Sequence, residues 1–401
     1  MVKITFLGDI MCEGPLLKAA HKEDGTYDFS ECFQGICGLL TEADYVIGNL
    51  ETPLSGEEAG YTKTEDLYSF NTPIEFAEAV KEMGMDLVLT ANNHCCDRGI
   101  EGLIKTLETL EQCGLNHTGT YKSEEDSEPF YFETDGIIFA VISCTSGTNA
   151  EITKISPDIK NVNLLDEQVV ALKKEKGRIK RIKSFIVKNI IGIRRYMRIR
   201  KFMGKSPLKP YTDDSLNTYR VIKYVNRLKE QIERAKQKAN YIFLCLHMGG
   251  QFNAIPGKFS EYMMNQFAQT DVDAIICSHP HIVQKAEIIN HKPCFYSIGN
   301  VSMSMGTEYI IRENLPDYGL AVHFYMKNRA GGGKITCSVI KMVEDSLGYV
   351  RAFLVSDLYD RASDKEKDDL IKDIRHIGTL MGVKTLEKAN EIDREVELFV
   401  F

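Results

Sequence analysis

Val2-Lys3-Ile4-Thr5-Phe6-Leu7-Gly8-Asp9-Ile10-Met11 opens the chain as a β-rich apolar run ended by Gly-Asp. A short apolar run bounded by glycine reads as a buried strand. A carboxylate directly after it lies where an α/β sheet opens onto a ligand site. The arrangement recurs along the chain. Residues 43–47 lead to Gly48-Asn49-Leu50-Glu51, and 86–90 to Asn92-Asn93-His94. Residues 241–246 lead to His247-Met248-Gly249, and 273–277 to Ser278-His279-Pro280-His281. The run 293–297 passes into Tyr296-Ser297-Ile298-Gly299-Asn300. One such motif would be weak. Six in one chain, mixing Asp, Glu, Asn and His, point to a hard or borderline metal held by oxygen and imidazole.

Around these strands the pattern is α/β. Helical periodicity covers residues 73–83 and 100–112, the latter stopped by Gly114. A further buried strand is expected at 137–143, an antiparallel meander at 319–326, 334–343 and 349–354, and a charged helix at 364–381. From 151 the strand rhythm breaks and resumes only near 241. The expected layout is a discontinuous core of residues 1–150 and 238–355. A helical, partly basic insertion fills 151–237, and a helical extension covers 356–401.

With 401 residues, 43% of them hydrophobic, the chain has ample material for a buried core. Its net charge of −8 argues against general nucleic-acid binding. That average conceals residues 171–205, which hold 14 Lys and Arg against a single acid, Glu175. Eleven cysteines without framework spacing read as reduced, core-filling thiols of a cytoplasmic protein. Met1-Val2-Lys3 leads straight into a strand, and no apolar run approaches bilayer length.

Each candidate residue has a plainer role beside the chemical one. Asp9 can ligate a metal or cap a turn. Glu51 can bridge metals or be a surface acid before Pro53, and Asn93 can be a ligand carbonyl or, like Asn92, a plain turn residue. His94 can donate a proton, with Asp97 three residues on to fix its tautomer. A lone His247 is more often a core histidine. His279-Pro280-His281 is the sharpest signal. In extended backbone, residues i and i+2 point to one side, so both imidazoles would face one point. The chain has no Gly-rich phosphate loop, no Gly-x-Ser-x-Gly elbow and no Cys-x-x-Cys pair. The vicinal Cys95-Cys96 lack a separate base.

Taken together and in this order, these motifs resemble the CapA family of capsule (poly-γ-glutamate) biosynthesis proteins, which looks like a branch of the calcineurin-like metallophosphoesterases. The match rests on Gly8-Asp9-Ile10-Met11, Gly48-Asn49-Leu50-Glu51 and Ala91-Asn92-Asn93-His94 with Asp97 and Gly99. It continues through His247 with Gly249, Ser278-His279-Pro280-His281 with Gln284, and Tyr296-Ser297-Ile298-Gly299-Asn300. The resemblance implies a four-layer α-β-β-α sandwich with a centre of one or two divalent ions (Mn, Fe or Zn). Asp9, Glu51, Asn93, His247, His279 and His281 are then expected as ligands and His94 with Asp97 as catalytic groups. Asn49, Asn92, Ser297 and Asn300 are expected on the substrate. Met11 stands where general metallophosphoesterases carry a histidine, a change that CapA proteins share. Ser278 replaces the usual glycine, and Gln251 stands where an acid is common.

Three functions compete. One is a metal-dependent phosphoesterase-type hydrolase linked to capsule or poly-γ-glutamate synthesis. Another is an accessory anion-binding protein of polymer synthesis, and the third is a non-catalytic protein on a decayed fold. The partner expected is an anionic substrate or polymer, with peripheral contact at the inner face of the membrane through residues 171–205. Ile179, Ile182, Ile186, Ile190, Ile193 and Met197 recur there at helical spacing, against Lys180, Arg181, Lys188, Arg194, Arg195 and Arg198. Each basic residue near an anionic surface contributes roughly 1 kcal/mol. The intact protein should therefore co-sediment with anionic liposomes or poly-γ-glutamate at low salt and release at high salt. A protein lacking 171–205 should not bind. Equal sedimentation of the two would refute a docking role for the stretch.

Overall fold

The computed structural model describes residues 1–400 except 64–67, 125–126, 154, 157–158, 169–209, 211, 308 and 328–332. The basic stretch 171–205 lies outside the described residues.

Two sheets carry the architecture. In the larger one β1 (Val2–Ile10), β2 (Tyr45–Leu50), β3 (Leu87–Leu89) and β4 (Asn116–Thr118) run parallel. The expected meander, β12 (Tyr318–Met326), β13 (Lys334–Glu344) and β14 (Val350–Leu354), adds antiparallel to the other side of β1. The smaller sheet runs in the order β5 (Phe130–Thr134), β6 (Ile137–Thr145), β7 (Tyr241–His247), β8 (Ala274–Ser278), β10 (Lys292–Phe295) and β9 (Ala286–Ile289). Its four central strands β6, β7, β8 and β10 are parallel.

Side chains alternate across each strand and so make four layers. Phe6, Ile47 and Phe324 of the larger sheet meet Phe139, Phe243 and Ile276 of the smaller in the inner core. Phe6 and Phe243 pack edge to face at 4.9 Å, and Phe243 and Phe324 at 5.2 Å. The opposite faces, with Leu7, Val46 and Val88, bury helices α1 (Gly14–Ala20), α2 (Gln34–Leu40), α3 (Ile74–Glu82) and α4 (Gly99–Gln112). Ala140, Ile142, Ile242 and Leu244 bury α5 (Thr218–Lys236) and α6 (Lys258–Phe267). The α/β sandwich expected from the motifs is the fold.

Two boundaries differ from expectation. The segment 151–237 is not wholly an insertion. Val221, Val225, Leu228 and Ile232 of α5 form part of the outer helix layer, and Leu164 bridges Thr145 of β6. The C-terminal extension is not wholly helical. After α7 (Asp364–Met381), β15 (Val396–Val400) pairs with Lys334–Cys337 of β13. β14 leaves that half of β13 unpaired, and an open strand edge is a row of unsatisfied backbone groups.

Gly8 also acts differently. It lies inside β1, not in a turn. There β11 (Asn300–Ser302) pairs with β1, and Asp9 N–H donates to Gly299 O at 3.0 Å. A Cβ at Gly8 would stand 2.0 Å from Gly299 O, and one at Gly319 would stand 2.0 Å from Asn300 O. Backbone, not a mobile side chain, fills the space at this seam. Gly8→Ala should cost about 3 kcal/mol or more in urea unfolding. Gly38→Ala on α2, where nothing lies within 4 Å, should be neutral or gain about 0.5–1 kcal/mol. Similar midpoints for the two variants would refute the close-approach role.

Candidate metal centre

The carboxyl ends of β1, β2 and β3 meet those of β7 and β8 at one end of the sandwich. Asp9 lies in β1, Glu51 directly follows β2, and Asn93 and His94 follow β3. His247 ends β7, and His279 and His281 follow β8. The tertiary fold brings all of them together. His247 Nε2 is 2.6 Å from Asn93 Oδ1, 3.1 Å from His279 Nδ1 and 3.4 Å from Glu51 Oε1. His281 Nδ1 is 3.2 Å from Asp9 Oδ2, and its Nε2 is 3.6 Å from Glu51 Oε1.

His279-Pro280-His281 does not achieve this in extended backbone. His279 has φ +99° and His281 φ +56°, and the segment is a bend. Such backbone is costly for residues with a Cβ and persists where surroundings over-determine it. The His279 N–H is tied to Asp9 Oδ2 at 3.0 Å, and Pro280 O accepts from Phe252 N at 2.8 Å.

Glu51 carries the fit to a metal. It is fully buried, and neither carboxylate oxygen has a protein hydrogen-bond partner among the described residues. Buried polar atoms are ordinarily satisfied. Glu51 belongs to two donor sets, one with His247 and His279, the other with Asp9 and His281. Mixed carboxylate and imidazole donors suit borderline divalent ions.

The protonation of the groups follows from burial and mutual charge. Burial pushes Glu51 up to about 8. Burial works against the charge of Asp9 too, but the hydrogen bond and charge of His281, the charge of His247 and the Asn49 amide hold it well below the usual carboxylate range. Burial lowers His247 to about 3 and His279 well below the histidine norm, leaving both rings as free bases. Burial would lower His281 as well, yet Glu51, Asp9 and Asn300 raise it to about 9.

His94 stands beside the centre with Nδ1 2.8 Å from Asp97 Oδ2 and Nε2 4.0 Å from Glu51 Oε1. Asp97 is itself fixed by the Phe70 N–H at 2.7 Å. Burial opposes the His94 charge, but Asp97 outweighs it and raises the His94 pKa.

The four residues expected on the substrate are hydrogen-bonded within the protein. All are buried, with their polar groups turned inward. Asn49 Nδ2 donates to Asp9 Oδ1 at 2.6 Å. Asn92 donates to Leu50 O at 2.7 Å and accepts from His94 N at 3.1 Å. Asn300 donates to His281 O at 2.9 Å and Pro316 O at 2.8 Å, with Oδ1 3.0 Å from His281 Nδ1. Ser297 Oγ accepts only a local bond from Gly299 N at 3.3 Å. Motif position on the strand ends was legible, but side-chain direction was not.

The family model described as bacterial capsule synthesis protein PGA_cap matches residues 3–304. The chain belongs to this family. It is 21% identical over 326 residues to the capsule biosynthesis protein CapA of Bacillus anthracis, covering 80% of this chain and 65% of that protein. It is also 21% identical over 340 residues to the PGA biosynthesis protein CapA of Bacillus subtilis (strain 168), covering 84% and 71%. The chain thus spans just under two thirds of the first relative's length. Among solved structures it is similar to a hypothetical protein from Thermus thermophilus, with TM-score 0.38 and 12% identity over 88% of this chain and 98% of that one. A likeness so loose bears on nothing further here.

Sequence reasoning assigned no role to two groups, Ser278 and Glu13. Ser278 Oγ lies 2.9 Å from His247 Nδ1. Glu13, pushed up to about 7 by burial, accepts from Ser304 N at 2.8 Å and from the Tyr309 hydroxyl at 3.0 Å. The loop carrying Tyr309 is thereby tied to the end of β1. Glu13 sits four residues after Asp9 with no motif spacing to mark it. The thiol pair beside His94 is inert by comparison. Cys95 and Cys96 are buried with their sulfurs 3.7 Å apart, and the neighbouring Cys95 and burial raise the Cys96 pKa well above the thiol norm.

Elemental analysis of the purified protein should find a divalent transition metal, and the double variant His279→Ala/His281→Ala should lose it while keeping its circular dichroism. Unchanged stoichiometry in a folded double variant would refute the ligand assignment.

Proposed function

We propose that the chain is a metal-dependent hydrolase of phosphoester type that serves synthesis of a capsule polymer such as poly-γ-glutamate. The observation that carries this reading is Glu51, buried without a hydrogen-bond partner among the described residues where two donor sets meet. Asp9, Glu51, Asn93, His247, His279 and His281 would hold one or two divalent ions, of Mn, Fe or Zn type. When bound, divalent metal supplies Lewis-acid polarisation of a phosphoryl oxygen and orients it for in-line displacement.

The chain's own groups do the rest. Asp97 accepts the Nδ1 proton of His94, which turns Nε2 toward the centre. The Asp97 carboxylate raises the pKa of His94 and so favours the protonated ring, and in this reading His94 Nε2 is the proton donor to a leaving oxygen. Asn92 fixes the His94 backbone, while Asn49 and Asn300 hold Asp9 and His281 in place. The packed aromatic core beneath excludes water from below.

Residues 171–205 are proposed as the contact to the anionic polymer or to the inner membrane face, in a cytoplasmic setting. Among the described residues no helix is long and apolar enough to cross a membrane. The second reading, a non-hydrolytic anion-binding subunit, keeps the same metal residues but gives His94 no catalytic task.

A phosphoester screen on the metal-loaded protein separates the two. His94→Ala should retain metal and lose roughly 10²–10⁴-fold in turnover, the scale of a lost general acid. Asp97→Asn removes the charge that raises the His94 pKa, so the alkaline limb of the pH–rate profile should move to lower pH. Full turnover by His94→Ala would exclude the acid role, and absence of any hydrolysis by the parent would favour the anion-binding reading.

A further inference from the structure

The two donor sets around Glu51 are unequal. On one side Glu51 Oε1, Asn93 Oδ1, His247 Nε2 and His279 Nδ1 converge, linked by separations of 2.6–3.4 Å. His247 Nδ1 faces Ser278 Oγ at 2.9 Å and the Asn49 amide nitrogen at 3.2 Å. Its Nε2 is the nitrogen turned toward Asn93, His279 and Glu51.

On the other side the His, Cys, Asp and Glu donors that meet among the described residues are Asp9, Glu51 and His281. Asp9 Oδ1 already accepts from Asn49 at 2.6 Å, and Oδ2 from the His279 N–H at 3.0 Å. His281 Nδ1 faces two acceptors, Asp9 Oδ2 at 3.2 Å and Asn300 Oδ1 at 3.0 Å, so it carries a hydrogen. Its Nε2, 3.6 Å from Glu51 Oε1, is the nitrogen left for a metal. Met11, two residues beyond Asp9, packs its side chain in the apolar cluster with the outer helices and adds no oxygen or nitrogen donor.

We propose that metal binding is ordered. The first ion takes the Glu51/Asn93/His247/His279 position. The Asp9/Glu51/His281 position is weak in the protein alone and fills together with an oxyanion, whose oxygens complete its coordination. Hard divalent ions held by only one or two carboxylates ordinarily draw their remaining ligands from phosphate and water. The inference rests on the metal reading above and adds to it the order, the inequality and the dependence on anion. The substrate class that this second position selects is one with a free phosphate or carboxylate group.

The test is a titration of chelator-stripped full-length protein with Mn²⁺, followed by calorimetry and by the paramagnetic resonance signal of free Mn²⁺. It is run without and with submillimolar inorganic phosphate. Without phosphate one ion should bind tightly and a second at least tenfold more weakly. Phosphate should strengthen the second step at least tenfold and leave the first unchanged. Two steps of equal affinity, or a second step indifferent to phosphate, would overturn the proposal while the metal reading stands. Absence of any bound ion would overturn both. His281→Ala should keep the tight step and lose the weak one, and His279→Ala should weaken the tight step. The reverse pattern would also overturn the order, and the parent titration decides the inequality and the anion dependence even where a variant fails to fold.

Discussion

Two carboxylates, Asp9 and Glu51, are fully buried at the ends of adjacent strands, and the rest of the site answers that constraint. Buried charges persist only when paired, hydrogen-bonded or bound to metal. Asp9 meets the condition with protein partners: an amide, a backbone N–H and an imidazole. Glu51 has no protein hydrogen bond among the described residues, and its Oε1 faces the imidazoles of His94, His247 and His281 at 4.0, 3.4 and 3.6 Å. Asp9 is thus held in place by the protein, while Glu51 keeps both oxygens free of hydrogen bonds among the described residues, where the two donor sets meet.

Holding so many polar groups at one point requires backbone that leaves standard geometry. The seam of Gly8, Gly299, Asn300 and Gly319 lets β1, β11 and β12 approach without side chains between them. Opposite it, Phe252, His279 and His281 all adopt positive φ in two loops that hydrogen-bond to each other. Strain of this kind concentrates where geometry is needed for function. Beneath both, edge-to-face phenylalanines lock one sheet on the other, so the ends of β1, β2 and β3 keep a set distance from the ends of β7 and β8. The site is thus a product of rigid elements, the condition for holding ligands to a narrow tolerance.

The chain belongs to a family of bacterial capsule synthesis proteins, and membership alone does not say what its site turns over. What the structure contributes is a division of roles. Buried asparagines that a motif reading places on a substrate hydrogen-bond Asp9 and contact His281. His94, by contrast, is held by Asp97 from the side away from the centre, and its free nitrogen faces inward. His323 is buried in the larger sheet between Thr5 and Ser338, where it satisfies two hydroxyls.

Much of this was legible in the chain itself. Strands such as β1 and β7 are long apolar runs with a polar residue at the end, and that local pattern marks both the buried strand and the sheet's open end. The helix Asp364–Met381 was readable for a similar reason: its apolar residues recur at helical spacing, Glu366 accepts from the Ser363 N–H at its start, and Gly382 takes a left-handed backbone at its end. The remainder depended on contacts between residues far apart. β15 forms only because β13 offers a free edge. Helix α5 belongs to the core because the smaller sheet needs a cover on its outer face. Glu13 became notable only when the loop bearing Ser304 and Tyr309 folded onto it. Residue types and their order along the chain determined which side chains gather at the strand ends. Which of those side chains are already satisfied, and which remain free to bind, was decided only in three dimensions, because a hydrogen-bond partner 40 or 270 positions away has no signature in the local sequence.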